Sequence, residues 1–217
     1  MVKPLLKYCG IRSYSDLQTV ASSQADYLGF IFADSKRKVD SKDVKEWLQK
    51  VNINGKKIVA VFVNATIEQI ETVYQDIKMD VVQFHGDEPV SEMNEIKNKL
   101  NVEIWKALHQ HSETEEEMIS YHNIADGFVV DSKVKGQRGG TGVTFDWTVV
   151  PKFTEIAKRY NNKLFIAGGV KPDNIEKLLD YHPIGIDLSS GIELDERKNK
   201  EMINELEERM LNYVRIS

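Results

Sequence analysis

With 217 residues, 41% of them hydrophobic and 29% charged, the chain has the make-up of an ordinary folded protein rather than a disordered one. A formal net charge of -5 argues against bulk electrostatic binding of nucleic acid, and no apolar run approaches the ~20 residues of a membrane span. The lone cysteine, Cys9, cannot form an internal disulfide, and the opening residues hold too short an apolar stretch for a secretory signal, so a cytoplasmic setting is expected.

Short β-branched or aromatic runs recur about every 25 residues, each followed by a polar turn and a helical pattern. They predict strands over residues 5–9, 26–32, 58–63, 80–85, 103–107, 127–131, 164–167 and 184–188. Between the third and fourth, Thr66-Ile67-Glu68-Gln69 reads as a capping box, and Ile67, Ile70, Val73, Tyr74 and Ile77 follow on one helical face. Ser112-Glu113-Thr114-Glu115 reads as a second capping box, with the acidic run Glu113 to Glu117 suited to a first helical turn. Pro172 stands at the start of a helix over residues 174–179. A last helix should bury Leu206, Met210, Leu211 and Val214.

Eight strands alternating with helices imply a parallel sheet, because each crossover returns the chain through a helix. The first strand is followed by no G-x-G-x-x-G turn, which favours a closed (β/α)8 TIM barrel over an open doubly wound sheet. No Pro/Gly/Ser-rich linker divides the chain, so residues 1–217 are expected to form a single α/β domain.

In such a barrel the chemistry gathers where the strands end. Those ends read Cys9-Gly10, Asp34-Ser35-Lys36-Arg37, Asn64, Gln83-Phe84-His85-Gly86, Asp131, Gly168-Gly169 and Asp187-Leu188-Ser189-Ser190-Gly191. Alternation puts Lys7 with Cys9, Gln83 with His85, and Asp131 with Val129 on shared faces, which an inward orientation would aim into the barrel. Gly168, Gly169, Ser189, Ser190 and Gly191 lie after the seventh and eighth strands, where barrels bind phosphate through free backbone N–H groups.

Two residues carry both a bland and a chemical reading. Cys9 reads first as a small buried hydrophobe, since at a pKa of ~8.5 only a few per cent of it is thiolate at neutral pH unless Lys7 or nearby N–H groups raise that fraction. Asp131 caps the apolar run Gly127-Phe128-Val129-Val130, so it reads as an ion-paired carboxylate, a helix cap or an acid of raised pKa able to donate a proton. Residues 132–144 include Gly136, Gly139, Gly140 and Gly142 and read as a mobile loop able to cover a ligand. His109-Gln110-His111 offers two histidines with no third ligand at suitable spacing, so no metal is expected.

The ordered set Lys7-Tyr8-Cys9-Gly10-Ile11, Gly29-Phe30-Ile31-Phe32, Ser35-Lys36-Arg37-Lys38-Val39, Val61-Phe62-Val63-Asn64, Val82-Gln83-Phe84-His85-Gly86, Asp131, Gly139-Gly140-Thr141-Gly142 with Phe145-Asp146-Trp147, Ala167-Gly168-Gly169-Val170 and Asp187 through Glu193 resembles the N-(5'-phosphoribosyl)anthranilate isomerase family of tryptophan biosynthesis. The likeness covers nearly the whole chain. It implies an Amadori rearrangement of an aminoaldose phosphate to an aminoketose phosphate, with Asp131 as general acid and Cys9 as general base. It further implies that Arg37 holds the anthranilate carboxylate, that Gln83, His85 and Asp187 support the substrate, and that the glycine and serine loops hold its phosphate. No cofactor, metal, nucleic acid or membrane is implied, only a small-molecule substrate, on a monomer or homodimer.

This chain departs from the family at Lys36, where many members carry proline, at Arg138 in the glycine-rich loop, and over residues 194–200, which lack a glycine often found there. The nearest rival is the histidine-pathway isomerase, which resembles a barrel with aspartate where this chain has Cys9. The indole-glycerol-phosphate synthase reading would need a catalytic lysine at strand ends and a longer N-terminal extension. A non-catalytic phosphosugar-binding barrel and a redox sensor built on Cys9 are the readings outside catalysis on phosphosugars.

Overall fold

A computed structural model describes residues 3–132 and 146–216. In chain order it runs β1 (Leu5–Cys9), α1 (Tyr14–Ala21), β2 (Tyr27–Ile31), α2 (Ser41–Lys50), β3 (Lys57–Phe62), α3 (Ile67–Asp76), β4 (Val81–Phe84) and α4 (Val90–Leu100). The second half continues with β5 (Glu103–His109), α5 (Thr114–Tyr121), β6 (Gly127–Asp131), α6 (Val150–Arg159), β7 (Lys163–Ala167), α7 (Ile175–Leu179) and β8 (Gly185–Leu188). A small hairpin, β9 (Glu193–Leu194) and β10 (Arg197–Lys198), then precedes α8 (Lys200–Ile216). The eight long strands pair in parallel, in sequence order, into a closed barrel, and β1 against β8 closes it. All eight expected strands are present, β1 and β6 with the expected bounds and the others shifted by one or two residues at one or both ends. Among the described residues no helix is long and apolar enough to cross a membrane.

Strand alternation builds two cores. Leu6, Tyr8, Leu28, Phe30, Val82, Phe84, Ile104 and Phe128 point outward and pack under the helices. Cys9, Tyr27, Val59, Val61, Trp105, Ala107, Val129, Phe165 and Ala167 point inward. The inner set is graded by size. Near the strand beginnings Trp105 stacks on Phe165, ring centroids 4.6 Å apart, and Tyr27 lies 4.8 Å from Trp105. Near the strand ends the inward residues are small: Cys9, Ala107 and Ala167. Large rings therefore plug one end of the barrel, and small side chains leave room at the other.

The plugged end is tied by carboxylates. Asp26, Asp80 and Asp126 each accept the backbone N–H of the preceding strand's second residue, from Leu6, Ile58 and Ile104, at 2.7–2.8 Å. Glu103 gathers Lys57 at 3.0 Å, Lys163 at 2.8 Å and the Trp105 Nε1–H at 3.1 Å.

The Thr66–Gln69 capping box forms as expected. The one at Ser112 does not. Thr114 is fully buried, its hydroxyl donating to the His109 carbonyl and accepting from the His111 N–H, so α5 starts at Thr114 with Glu113 as an uncapped boundary. In α8, Leu206 and Met210 are buried but Leu211 is 49% exposed. Five helical residues turn ~140° past a full circle, which carries Leu211 off the stripe that Leu206 begins; the Val214 side chain is outside the described set.

Asp80→Ala leaves the Ile58 N–H without its acceptor at the closed end. The expected loss is about 1–2 kcal/mol of stability in urea unfolding, with kcat unchanged because the site lies at the other end.

Candidate active site

At the open mouth Lys7 and Cys9 point inward from β1, as alternation requires, while Leu6 and Tyr8 pack outward. Lys7 is fully buried and donates from Nζ to Asp187 Oδ2 at 2.7 Å; the two are register partners across the β1–β8 seam. Burial works against the Lys7 charge, but Asp187 and Cys9 together outweigh it and hold the ammonium more firmly protonated than a free lysine. Burial pushes the Asp187 carboxyl upward, opposed by Lys7.

Cys9 is 7% exposed, and burial pushes its thiol above the ordinary range. Lys7 and Lys198 pull it down while Asp187 pushes it up. The sequence suggestion that Lys7 would enrich the thiolate is thus right in sign, but burial is the larger effect.

Asp131 ends β6, three strands away around the barrel from β1, in register with His109 on one side and Ala167 on the other. The Ser132 hydroxyl reaches its Oδ1 at 3.5 Å. Gly168, with φ of +88°, presses directly on this corner: a Cβ there would collide with the Ser132 hydroxyl and stand 2.6 Å from Asp131 Oδ1. The loops after β7 and β8 also abut, since a Cβ on Gly191 would collide with the Val170 carbonyl. After β7 the chain passes through a 3-10 turn, Pro172–Asn174, before α7, and after β8 through another, Ser190–Ile192.

Among the described residues, Gln83 Oε1, Asp187 Oδ1 and Ser189 Oγ at this mouth are buried without a hydrogen-bond partner, as is His109 Nδ1 at the end of β5. Such atoms cost ~1–3 kcal/mol each when left unmet, so their gathering at the ends of β4, β5 and β8 suits a polar ligand.

Arg37, which the resemblance gives to the anthranilate carboxylate, holds Glu193 here, with Nε to Oε1 at 3.0 Å and Nη2 to Oε2 at 2.6 Å. Neighbouring Lys36 pairs with Glu196 at 3.0 Å, so the residue standing where proline is common anchors the β9–β10 turn. Sequence reasoning missed Lys198, whose fully buried ammonium reaches Glu193 at 2.9 Å. The signal was a glutamate and a lysine placed to face each other at the open end of a six-residue hairpin.

His109 and His111 part company. β5 extends through His109, which faces His85 with ring centroids 5.9 Å apart, whereas His111 bonds Glu117 at 3.1 Å. Among the described residues no cluster of three or more His, Cys, Asp or Glu is placed to hold a metal ion. Gly136, Arg138, Gly139, Gly140, Gly142 and Phe145 lie outside the described residues.

The sequence matches the family model of N-(5'phosphoribosyl)anthranilate (PRA) isomerase over residues 6–209. The chain belongs to that family. An N-(5'-phosphoribosyl)anthranilate isomerase of Bacillus subtilis (strain 168) is 51% identical over 217 residues, 100% of both chains. One from Clostridium acetobutylicum is 36% identical, covering 94% of this chain and 95% of its own. The crystal structure of phosphoribosyl anthranilate isomerase from Thermotoga maritima superposes with a TM-score of 0.82 at 28% identity, covering 96% and 99% of the two chains. A family structure in complex with reduced 1-(o-carboxyphenylamino)-1-deoxyribulose 5-phosphate superposes with a TM-score of 0.79 at 25% identity, with the same coverage.

Within this anthranilate isomerase barrel, burial pushes the His85 imidazole from 6.5 down to about 4, against the opposing pull of Asp131. The unfolded chain therefore takes up a proton near pH 6.5 that the folded chain refuses until about pH 4, and stability is lost as pH falls through that window. His85→Asn should flatten the decline of unfolding free energy, measured in urea, between pH 6.5 and 4, by no more than ~3 kcal/mol; an unchanged slope would contradict the burial argument.

Proposed function

We propose that this chain catalyses the family's isomerisation of N-(5-phosphoribosyl)anthranilate to 1-(2-carboxyphenylamino)-1-deoxyribulose 5-phosphate, with Asp131 as general acid and Cys9 as general base. Asp131 protonates the ribose ring oxygen as the anthranilate nitrogen lone pair expels it, opening the ring to a protonated Schiff base. That cationic C=N acidifies the C2' proton, which the Cys9 thiolate removes while the electrons move into an enolamine. Reprotonation at C1' and loss of the C2' hydroxyl proton give the aminoketose. The two transfers occur at different atoms, so they call for an acid and a base on separate strand ends.

The observation that carries this reading is the position of Cys9 and Asp131 on β1 and β6, with partnerless Gln83, Asp187 and Ser189 oxygens buried at the same mouth. The family membership supplies the reaction. In this reading Gly168, Gly169, Ser189, Ser190 and Gly191 offer backbone N–H and hydroxyl groups to the phosphate, so a protein of net charge -5 takes an anionic substrate through local donors. His85, neutral at physiological pH, and Gln83 and Asp187 line the sugar. Arg37 meets the anthranilate carboxylate by exchanging part of its hold on Glu193 for the ligand. The enzyme so read is cytoplasmic, a monomer or homodimer, and acts on a small molecule alone.

The test is a fluorescence assay of freshly made phosphoribosylanthranilate. Asp131→Asn should lower kcat by about 10²–10⁴ while product-analogue affinity stays within a few-fold. Cys9→Ser should lose a comparable factor, because a hydroxyl is far too weak an acid to serve as a base at neutral pH. Arg37→Ala should raise KM about tenfold or more with a smaller change in kcat; an unmoved KM removes the carboxylate contact. A wild type inert on this compound but active on the histidine-pathway aminoaldose would overturn the substrate assignment.

A further inference from the structure

The β9–β10 hairpin carries a lysine that the reaction as described leaves without a task. Its side chain is fully buried, and its Nζ donates to the Cys9 carbonyl at 2.6 Å, the Ser189 carbonyl at 3.0 Å and Glu193 Oε1 at 2.9 Å. Three oxygens use all three N–H groups of an ammonium; a neutral amine would turn its lone pair towards one of them. The three acceptors belong to the base strand β1, the serine loop after β8, and the carboxylate that grips Arg37. The lysine is itself fixed from behind. Its backbone N–H donates to buried Asp16 Oδ1 at 3.0 Å on α1, and it stands in register opposite Glu193 in the hairpin. The turn between them puts Asp195 and Glu196 both at positive φ, 48° and 61°, and Glu196 is held by Arg12 and Lys36.

We propose that Lys198 is a positioning residue for catalysis, whose buried ammonium fixes the thiol strand and the serine loop relative to each other and shares Glu193 so that Arg37 can turn to the substrate carboxylate. This rests on Cys9 and Arg37 having the roles assigned above. Without the ammonium, Glu193 would have Arg37 as its remaining cation, and the guanidinium would be held away from the ligand. The Cys9 carbonyl would lose its tether in the same step.

A pH readout follows as well. The charged groups facing the Cys9 thiol are Lys7 from its own strand, Asp187 from β8, Lys198 from β10 and Arg37 from the loop after β2. Removing one of these cations makes the thiolate harder to form, so the acid limb of kcat/KM should move to higher pH.

The experiment compares wild type, Lys198→Met and Lys198→Gln, each confirmed folded by near-UV circular dichroism, in kcat, KM and the pH profile of kcat/KM. Lys198→Met should lower kcat about tenfold and raise KM about tenfold, with the acid limb displaced upward by about half a unit or more. Lys198→Gln keeps a donor for the carbonyls without the charge. It should recover part of kcat but keep the displaced limb, and it serves alone if the methionine variant does not fold. Kinetic constants within about twofold of wild type, or a fall in kcat with KM and pH profile unmoved, would overturn the proposal. Cys9→Ala is run beside them. Full activity in that variant would remove the base assignment itself, a failure distinct from that of the Lys198 role.

Discussion

A barrel must pair its last strand with its first, and here that seam is sealed from within by an ammonium and a carboxylate. Lys7 and Asp187 are register partners, and their side chains meet at 2.7 Å with almost no exposure to solvent. Such a pair gains its stability from geometry, because desolvation offsets much of the Coulomb attraction. What it secures is alignment. Two residues further along each strand stand Cys9 and Ser189, so the register that joins the ion pair also sets the thiol beside the serine loop. A slip by one residue would turn Cys9 out under the helices and break the pair inside the barrel.

On the proposed reading, the same interior explains how an acidic protein makes a site for an anion. The cations that matter are few and buried or half-buried at one mouth: Lys7, Arg37 and Lys198, each already assigned an oxygen. Their charge is spent locally and does not appear as a basic surface. The narrowing of the inner core, from Tyr27, Trp105 and Phe165 to Cys9, Ala107 and Ala167, leaves the polar atoms at the wide end where a ligand can reach them. Stability and chemistry thus occupy opposite ends of the barrel.

The strands were legible because alternation and β-branched runs are local signals, and β1 and β6 could be read to the residue. Period two put Lys7 with Cys9 and Gln83 with His85 on shared faces, while which face turns inward was settled by the barrel itself. The Ser112 capping box was not legible as false, because what displaced it was burial of Thr114 against the His109 carbonyl, a packing effect. The hold of Glu193 on Arg37 joins residues 156 apart in sequence, and no spacing rule reaches that far. Lys198 was hidden for a different reason. Its hairpin turns on Asp195 and Glu196 rather than on glycine or asparagine, so the usual mark of a two-residue turn is missing from the sequence.

The aspartates of the plugged end recur in every second connection: Asp26 holds β1 from the start of β2, Asp80 holds β3 from the start of β4, and Asp126 holds β5 from the start of β6. Each aspartate lock therefore lies inside a two-strand block, while backbone bonds such as Lys57 N–H to the Asp26 carbonyl, and the Glu103 carboxylate on Lys57 and Lys163, make the joins between blocks. The fourth block has Ile184 in that place and is tied to the first by the Leu5 N–H on the Ile184 carbonyl. Opening the polypeptide between blocks, at the Asn54-Gly55 turn for example, parts no aspartate from its strand, whereas opening it inside a block does. The chain accordingly has natural seams for separate fragments to reassemble along, spaced by two strands rather than one.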